Sequence, residues 1–170
     1  MSLARNIAKN TFWLGVGEFT RLFLAAITAI FVARYLGSAG YGKYVFATSF
    51  AQLFAVLADF GFLNFISAEL ARRKDQFEDY LNISLTLKIP ISLLYLVTVF
   101  GTLFLIGKTD AWFLILLATL GVIVENITFL FFAFFRAKEK MMYEGLLKLL
   151  GGAIMFILIF FALYIKTGPE

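Results

Sequence analysis

The chain of 170 residues is 62% hydrophobic and only 15% charged. Soluble domains are about half apolar and about a quarter charged, so this composition indicates an integral membrane protein. The chain has no cysteine and no histidine, which excludes disulfides, thiol chemistry and serine–histidine catalysis and removes the commonest metal ligand. The net charge is +4, and the lysines and arginines cluster at the ends of apolar runs rather than on one basic face. We therefore expect no nucleic-acid partner.

The apolar runs are long enough to form membrane-spanning helices. About 20 apolar residues at about 1.5 Å per residue cross a bilayer core of about 30 Å. The alternation that is typical of barrel strands is absent. The sequence therefore predicts an all-α integral membrane protein with a single domain and about five transmembrane helices, at residues 10–35, 43–68, 81–107, 111–135 and 145–166. A turn is expected between the first two helices, at Gly37, Gly40 and Gly42.

Lysine and arginine residues are distributed unequally between the two sides of this topology. With the N-terminus in the cytoplasm, the cytoplasmic side holds Arg5, Lys9, Arg72, Arg73, Lys74, Arg136, Lys138, Lys140 and Lys148. The outer side holds Arg34, Lys43, Lys108 and Lys166. Because basic residues favour cytoplasmic loops, the bias predicts a multi-pass protein of the cytoplasmic membrane with a cytoplasmic N-terminus.

Each of the first four predicted helices gathers its polar and small residues on one side at 100° per residue. These stripes are Asn10, Glu18, Arg21, Ala25, Thr28 and Ala29; Thr48, Gln52, Ala55 and Asp59; Ser84, Lys88, Ser92, Tyr95, Thr98 and Thr102; and Ala118, Gly121, Glu125, Thr128 and Arg136. Five charged members lie roughly eight to eleven residues, or about 12–17 Å, from the cytoplasmic ends of their helices: Glu18, Arg21, Asp59, Lys88 and Glu125. We expect them to share one layer near the middle of the membrane.

Two interpretations of these charges are open. A charge at mid-depth costs roughly 2.5–3.5 kcal/mol on insertion scales, so the side chains are expected to face protein or a water-filled cavity. In the structural interpretation, Glu18 pairs with Arg21 at i,i+3, and Lys88 pairs with Asp59 or Glu125. In the functional interpretation, some of the charges contact a substrate or a coupling ion. One balanced pair would suffice for packing, which favours the functional interpretation.

Residues 33–75 carry a recognisable set of motifs. FVARYLGSAGYGKYVFATSF is followed by LADFGF and then by ELARRKD. This set resembles the start of the polysaccharide, or O-antigen, flippases of the multidrug/oligosaccharidyl-lipid/polysaccharide exporter superfamily. The resemblance implies a larger, two-lobed helical transporter that moves an undecaprenyl-diphosphate-linked sugar between leaflets by alternating access. It implies transport rather than an enzymatic reaction, and no cofactor.

The resemblance also implies roles for the mid-membrane charges. Basic residues of a central cavity meet the diphosphate in that family, so Arg21 and Lys88 are expected to bind substrate. Glu18, Asp59 and Glu125 are expected to hold a coupling ion or to form charge pairs, without a metal site. The implied partners are membrane lipids, the lipid-linked oligosaccharide, and the remaining helices or second lobe of the transporter, because this sequence stops after the fifth predicted helix.

Two other functions are open. A cation-coupled multidrug exporter of the same superfamily would bind sodium or protons at Asp59 and Glu125, and a layer richer in acids favours it. A small membrane scaffold or sugar-transfer subunit would fit the short length. A transferase needs an exposed carboxylate pair near a lipid headgroup, and Asp75, Glu78 and Asp79 are the candidates, although a solvated loop explains them better.

Single cysteines can report the orientation because the chain has none of its own. We expect Ser38→Cys to react with a membrane-impermeant thiol reagent in intact cells, because residue 38 is predicted to lie outside. Gln76→Cys should react only after the membrane is opened. The opposite labelling pattern would place the N-terminus outside.

Overall fold

The computed structural model describes residues 3–59, 61–72, 77–107, 111–138 and 140–166, and their regular structure is entirely helical. The helices are α1 (Leu3–Leu53), α2 (Ala55–Asp59), α3 (Phe62–Arg72), α4 (Phe77–Ile106), α5 (Trp112–Ala137) and α6 (Met141–Lys166). Within the described ranges, 4 helices are long and apolar enough to cross a membrane. The prediction of an all-α membrane protein is therefore confirmed.

The turn predicted between the first two spans is confirmed at Gly37, where α1 consists of two helices joined at a kink, whereas Gly40 and Gly42 are helical. The backbone of α1 departs from helical geometry at Gly37, with φ 65° and ψ −179°. Glycine tolerates this positive φ because it has no Cβ, so the helix axis changes direction at one residue. The apolar part of α1 is 46 residues long, or about 69 Å, which exceeds one bilayer crossing. We call residues 3–36 and 38–53 the first and second arms of α1.

The predicted second span, residues 43–68, is not one continuous helix. The second arm of α1 ends at Leu53 and Phe54 forms a turn, where the Leu57 amide donates to the Phe54 carbonyl at 2.9 Å. The next helix, α2, ends at Asp59, and Gly61 has a φ of 72° before α3 begins. Both interruptions fall within the stretch that was predicted to cross the membrane. We call this stretch, from the second arm of α1 through α3, the broken span.

The later helices lie close to their predicted positions. Residues 81–107 were predicted for the helix that spans Phe77–Ile106, and residues 111–135 for Trp112–Ala137. The last helix begins at Met141 rather than at residue 145, and this earlier start places Glu144 in its first turn. Of the predicted loops, residues 73–76 and 108–110 lie outside the described residues.

The chain divides into two compact units. Unit 1 comprises Met1–Tyr41 and Glu139–Glu170, and unit 2 comprises Gly42–Lys138. Unit 1 therefore contains the first arm of α1 together with α6. Unit 2 contains most of the second arm, α2, α3, α4 and α5.

In unit 1, the first arm of α1 and α6 lie side by side and run in the same direction. A Cβ added at Gly17 would lie 2.7 Å from the Gly145 Cα, so the two backbones are in contact there. Further along both helices, the rings of Phe31 and Phe160 meet edge to face at 6.2 Å. Small residues permit this close approach. In a membrane, apolar side chains contact lipid tails as readily as they contact another helix, so helix association depends on such close packing.

Unit 2 packs α4 and α5 against the broken span. Small side chains of the broken span meet large ones of the other two helices in the main core cluster: Ala47, Ala51, Ala58, Tyr95, Val99, Leu103, Ile115 and Val122. A second cluster joins α3 to α5 through Ile66, Leu70, Leu130 and Phe134. The alanines let α4 and α5 approach the irregular backbone of the broken span closely.

The close approach in unit 1 predicts a difference between two glycines of α6. We expect Gly145→Ala to lower the melting temperature, because its Cβ would collide with the Trp13 carbonyl and overpacking costs about 1–3 kcal/mol. The control Gly151→Ala has open space around its added Cβ and should not lower it. Thermal unfolding in detergent measures both, and equal melting temperatures would contradict the contact.

Candidate functional site

Four charged side chains of unit 1 form a connected chain of ion pairs. Glu18 Oε1 accepts from Arg21 Nη2 at 2.5 Å and from Arg21 Nε at 3.2 Å. Glu18 Oε2 accepts from Lys148 Nζ at 3.0 Å. Lys148 Nζ also lies 3.0 Å from Glu144 Oε1, one turn earlier in α6. We call Arg21, Glu18, Lys148 and Glu144 the unit 1 charge network; its acids and bases alternate and balance.

The network runs from a buried end to an open end. Glu144 is 0% exposed and Lys148 11% exposed, whereas Glu18 is 39% and Arg21 43% exposed. Arg21 and Glu18 together therefore form the accessible end of the network. The buried Lys148 links the carboxylates of Glu18 and Glu144, because its Nζ lies 3.0 Å from an oxygen of each.

The glycine contact explains how this network assembles. Gly17 and Gly145 each adjoin an acid of the network, Glu18 and Glu144. Because the two backbones touch at the glycines, a side chain one turn further along α6 can reach across to α1. Lys148 occupies that position, and its i,i+4 spacing from Glu144 also allows the pair within α6.

The second buried base, Lys88 of unit 2, has a different environment. Its Nζ donates to the Ala58 carbonyl at 3.2 Å, to Asp59 Oδ1 at 3.2 Å and to Asn126 Oδ1 at 3.4 Å. It also lies 5.8 Å from the centre of the Phe62 ring. An ammonium group has three donors, so each donor of Lys88 has an acceptor within unit 2. The side chain is only 3% exposed.

Lys88 satisfies a carbonyl that the break after α2 exposes. In an uninterrupted helix, the Ala58 carbonyl would accept from the amide four residues later, but α2 ends at Asp59. The hydrocarbon core has no water to replace that donor, and an unsatisfied carbonyl there costs several kcal/mol. The ammonium of Lys88 supplies the donor and pairs with the carboxylate of Asp59 at the same point.

Tyr95 acts in the same way at the first break. Its hydroxyl donates to the Ala51 carbonyl at 2.9 Å, and its side chain is 0% exposed. Ala51 lies in the last turn of α1. The carbonyls of that turn have no amide donors from a following turn, because the helix is interrupted at Phe54. Two side chains from one face of α4 therefore satisfy the backbone at both interruptions of the broken span.

The predicted pairs form as the structural interpretation expected, and Lys88 pairs with Asp59 rather than with Glu125. Ser84, Lys88 and Tyr95 of the predicted α4 stripe are buried. The predicted shared layer would join residues of both units and stays a prediction.

Gly121, Glu125 and Thr128 of the polar stripe predicted on α5 are exposed in this structure, and the prediction that they face a polar interior stays a prediction. The buried face lies about 100° away and carries Thr119, which is 0% exposed, and Asn126, which contacts Lys88. Hydrogen-bonding side chains occur on both faces of this helix, so polarity alone selects neither. Glu125 makes no ion pair with another residue of the described ranges.

Three site residues escaped the sequence analysis: Asn126, Glu144 and Lys148. Lys148 was counted only among the cytoplasmic basic residues, and Glu144 fell in the loop before the last helix, which was predicted to begin at residue 145. The spacing Glu144-Gly145 to Lys148 could have indicated a buried pair beside a helix contact. Asn126 gave no such signal, because it follows the more conspicuous Glu125.

The structure describes two of the three carboxylates considered for a transferase. Glu78 and Asp79 lie exposed in the first turn of α4, where acidic residues stabilise a helix N-terminus. Asp75 lies outside the described residues. Among the described residues, no group of three or more acidic side chains is arranged to hold a metal ion.

The apolar helices, the broken span and the buried ion pairs define the class of this protein as a multi-pass α-helical membrane protein. A family model described as polysaccharide biosynthesis protein matches residues 7–168. The chain therefore belongs to the polysaccharide biosynthesis protein family, as the resemblance predicted. Comparisons with curated proteins and with solved structures return no match.

The contacts of Lys88 predict a loss of stability when it is removed. Lys88→Met would leave the Ala58 carbonyl without its donor and the Asp59 carboxylate without its base, at a cost of about 3–5 kcal/mol. The control Lys43→Met removes an exposed lysine and should change the melting temperature little. If both variants unfolded at the melting temperature of the unmodified protein, Lys88 would not stabilise the interruption after α2.

Proposed function

We propose that this protein is part of a flippase that moves a polyprenyl-diphosphate-linked oligosaccharide across the cytoplasmic membrane for cell-surface polysaccharide synthesis. The family supports a role in polysaccharide biosynthesis, and its membrane-spanning helices suit a lipid-linked intermediate. The observation that carries the proposal is Arg21, a guanidinium in a membrane-spanning helix with 43% of its side chain exposed.

Arg21 has the chemistry that a diphosphate requires. A guanidinium is planar, keeps its charge and offers a fork of donors that matches phosphate oxygens, and such charge-assisted bonds are about twice as strong as neutral ones. Within a membrane the low dielectric strengthens the attraction further. A diphosphate passing through this layer needs such a fixed cation.

Lys88 is less suited to the same task. All of its donors contact unit 2, and 3% exposure leaves little surface for a ligand. We therefore assign the diphosphate contact to Arg21 and give Lys88 a positioning role at the broken span. Asp59, which contacts Lys88, belongs to the same structural pair.

The location and partners are part of the proposal. A cytoplasmic N-terminus rests on the excess of basic residues in the segments assigned to that side. The transporter would act on a lipid-linked sugar without a cofactor and without catalysing a covalent reaction. Its partners would be membrane lipids, the lipid-linked oligosaccharide, and further helices that complete a cavity.

A cation-coupled exporter is the alternative, and the exposed carboxylate of Glu125 is the observation that favours it. This side chain lies midway along α5, a helix long and apolar enough to span the membrane, and such a charge calls for a counter-ion, water or a proton. Loss of ion-dependent drug export in Glu125→Gln, with polysaccharide export unaffected, would favour this alternative.

Export assays test the role of Arg21 in the intact transporter. We expect Arg21→Ala to abolish surface polysaccharide at unchanged membrane abundance, and Arg21→Lys to restore export only in part, because an ammonium lacks the planar fork. The matched control Arg34→Ala removes an exposed arginine from the same arm of α1 and should export normally.

The structural interpretation of Arg21 predicts a different pattern. Arg21→Ala would then lower protein abundance, because Glu18 would lose a base, and the double change Glu18→Gln, Arg21→Gln would restore it. If the double variant exports polysaccharide normally, Arg21 is a structural partner and the proposed diphosphate contact is wrong.

A further inference from the structure

Glu18 occupies one edge of the Arg21 guanidinium, the Nε–Nη2 edge, which is of the kind that binds phosphate oxygens. A single carboxylate oxygen accepts from both Nε and Nη2, the two donors of one edge of the guanidinium. Phosphate oxygens bind arginine through the same kind of edge. In this structure a side chain of the protein therefore fills that edge of the proposed ligand site.

Glu18 and a diphosphate cannot share that edge. Both are anions, and two negative charges at hydrogen-bond distance from the same donors repel each other strongly where the dielectric is low. A ligand that takes the edge must therefore displace Glu18, and a returning Glu18 must displace the ligand. Arg21 and Glu18 are both partly exposed, so the exchange does not require the buried part of the network to open.

The rest of the network gives Glu18 an alternative partner. Its second oxygen already accepts from Lys148 Nζ, which the fully buried Glu144 holds in place. A displaced Glu18 would therefore keep one base and would not become an unpaired charge within the membrane. This lowers the cost of displacement and keeps the carboxylate next to Arg21, ready to return.

We propose that Glu18 is an internal competitor that weakens diphosphate binding at Arg21 and promotes its release. The inference rests on the proposed function, because it assumes that Arg21 binds the diphosphate. A transport site must bind its substrate well enough to admit it and weakly enough to release it. A tethered carboxylate meets this requirement without a change in the fold of unit 1.

Binding measurements on the purified protein in lipid nanodiscs test this directly. The probes are a polyprenyl diphosphate and inorganic diphosphate, so that a lipid-bound ligand is distinguished from a free anion. Glu18→Gln has nearly the same shape but no charge, and we expect it to lower the Kd for the polyprenyl diphosphate by about three- to tenfold. Arg21→Ala should abolish binding, and the control Glu78→Gln, an exposed acid at the start of α4, should not change it.

Transport kinetics separate competition from a structural role. Competition predicts that Glu18→Gln lowers both the half-saturating substrate concentration and the maximal rate, because the substrate binds more tightly and leaves more slowly. A damaged structure would lower abundance and the maximal rate without tighter binding. Glu18→Asp, which keeps the charge on a shorter side chain, gives a second test if Glu18→Gln does not fold, and it should tighten binding to a smaller degree.

The outcomes distinguish this inference from the proposed function. Unchanged or weaker binding in the folded glutamate variants, with binding lost in Arg21→Ala, would overturn the competition and leave the proposed function intact. Normal binding in Arg21→Ala would overturn both. Equal tightening for inorganic diphosphate and the polyprenyl diphosphate would show that the competition acts on the diphosphate group itself; tightening for inorganic diphosphate alone would overturn the inference for the lipid substrate.

Discussion

A helix that breaks inside a membrane leaves backbone carbonyls that no water can satisfy, and this constraint organises unit 2. The broken span is interrupted at two points, and α4 provides a donor for each: Lys88 for Ala58 and Tyr95 for Ala51. The acceptors lie two helical turns apart, as do the donors, and they pair in opposite order along the two elements. The irregular second span and the regular α4 therefore stabilise each other.

The two mid-membrane bases, which look alike in the sequence, differ in what surrounds them. Lys88 is buried and bound by acceptors of its own unit, whereas Arg21 is half exposed and bound on one edge by Glu18. Burial with saturated donors favours a structural role, since a ligand would have to compete with several bonds at once. Exposure of a guanidinium in an apolar helix favours contact with an anion. The structure thus supports different roles for residues that the resemblance treated as one group.

Composition and helix length were enough to predict the fold class and the approximate limits of the later helices. They gave no warning of the broken span, because its apolar run is long enough for one continuous helix, and the donors that stabilise its breaks lie some 30 residues or more away in the chain. The break at Gly37 was predicted from the glycine-rich stretch. Its form, a positive φ at a single residue with helix on both sides, was not, because glycine suits both a longer turn and a one-residue kink.

The candidate site was predicted in part. The spacing of Glu18 and Arg21 indicated their pair, because residues at i,i+3 share a helix face. The spacing could not reveal that Lys148 and Glu144 extend the pair, since that depends on the contact between Gly17 and Gly145 across two helices. The choice between Asp59 and Glu125 as the partner of Lys88 depended on which face of α5 is buried, and both faces carry polar side chains.

The central claim is that Arg21 meets the diphosphate while Lys88 maintains the structure. The most direct test compares binding of a polyprenyl diphosphate to purified Arg21→Ala and Lys88→Met below their melting temperatures. The account predicts that folded Lys88→Met keeps the Kd of the unmodified protein and melts at a lower temperature, whereas Arg21→Ala loses binding. Loss of binding in Lys88→Met with an unchanged melting temperature, together with normal binding in Arg21→Ala, would contradict it.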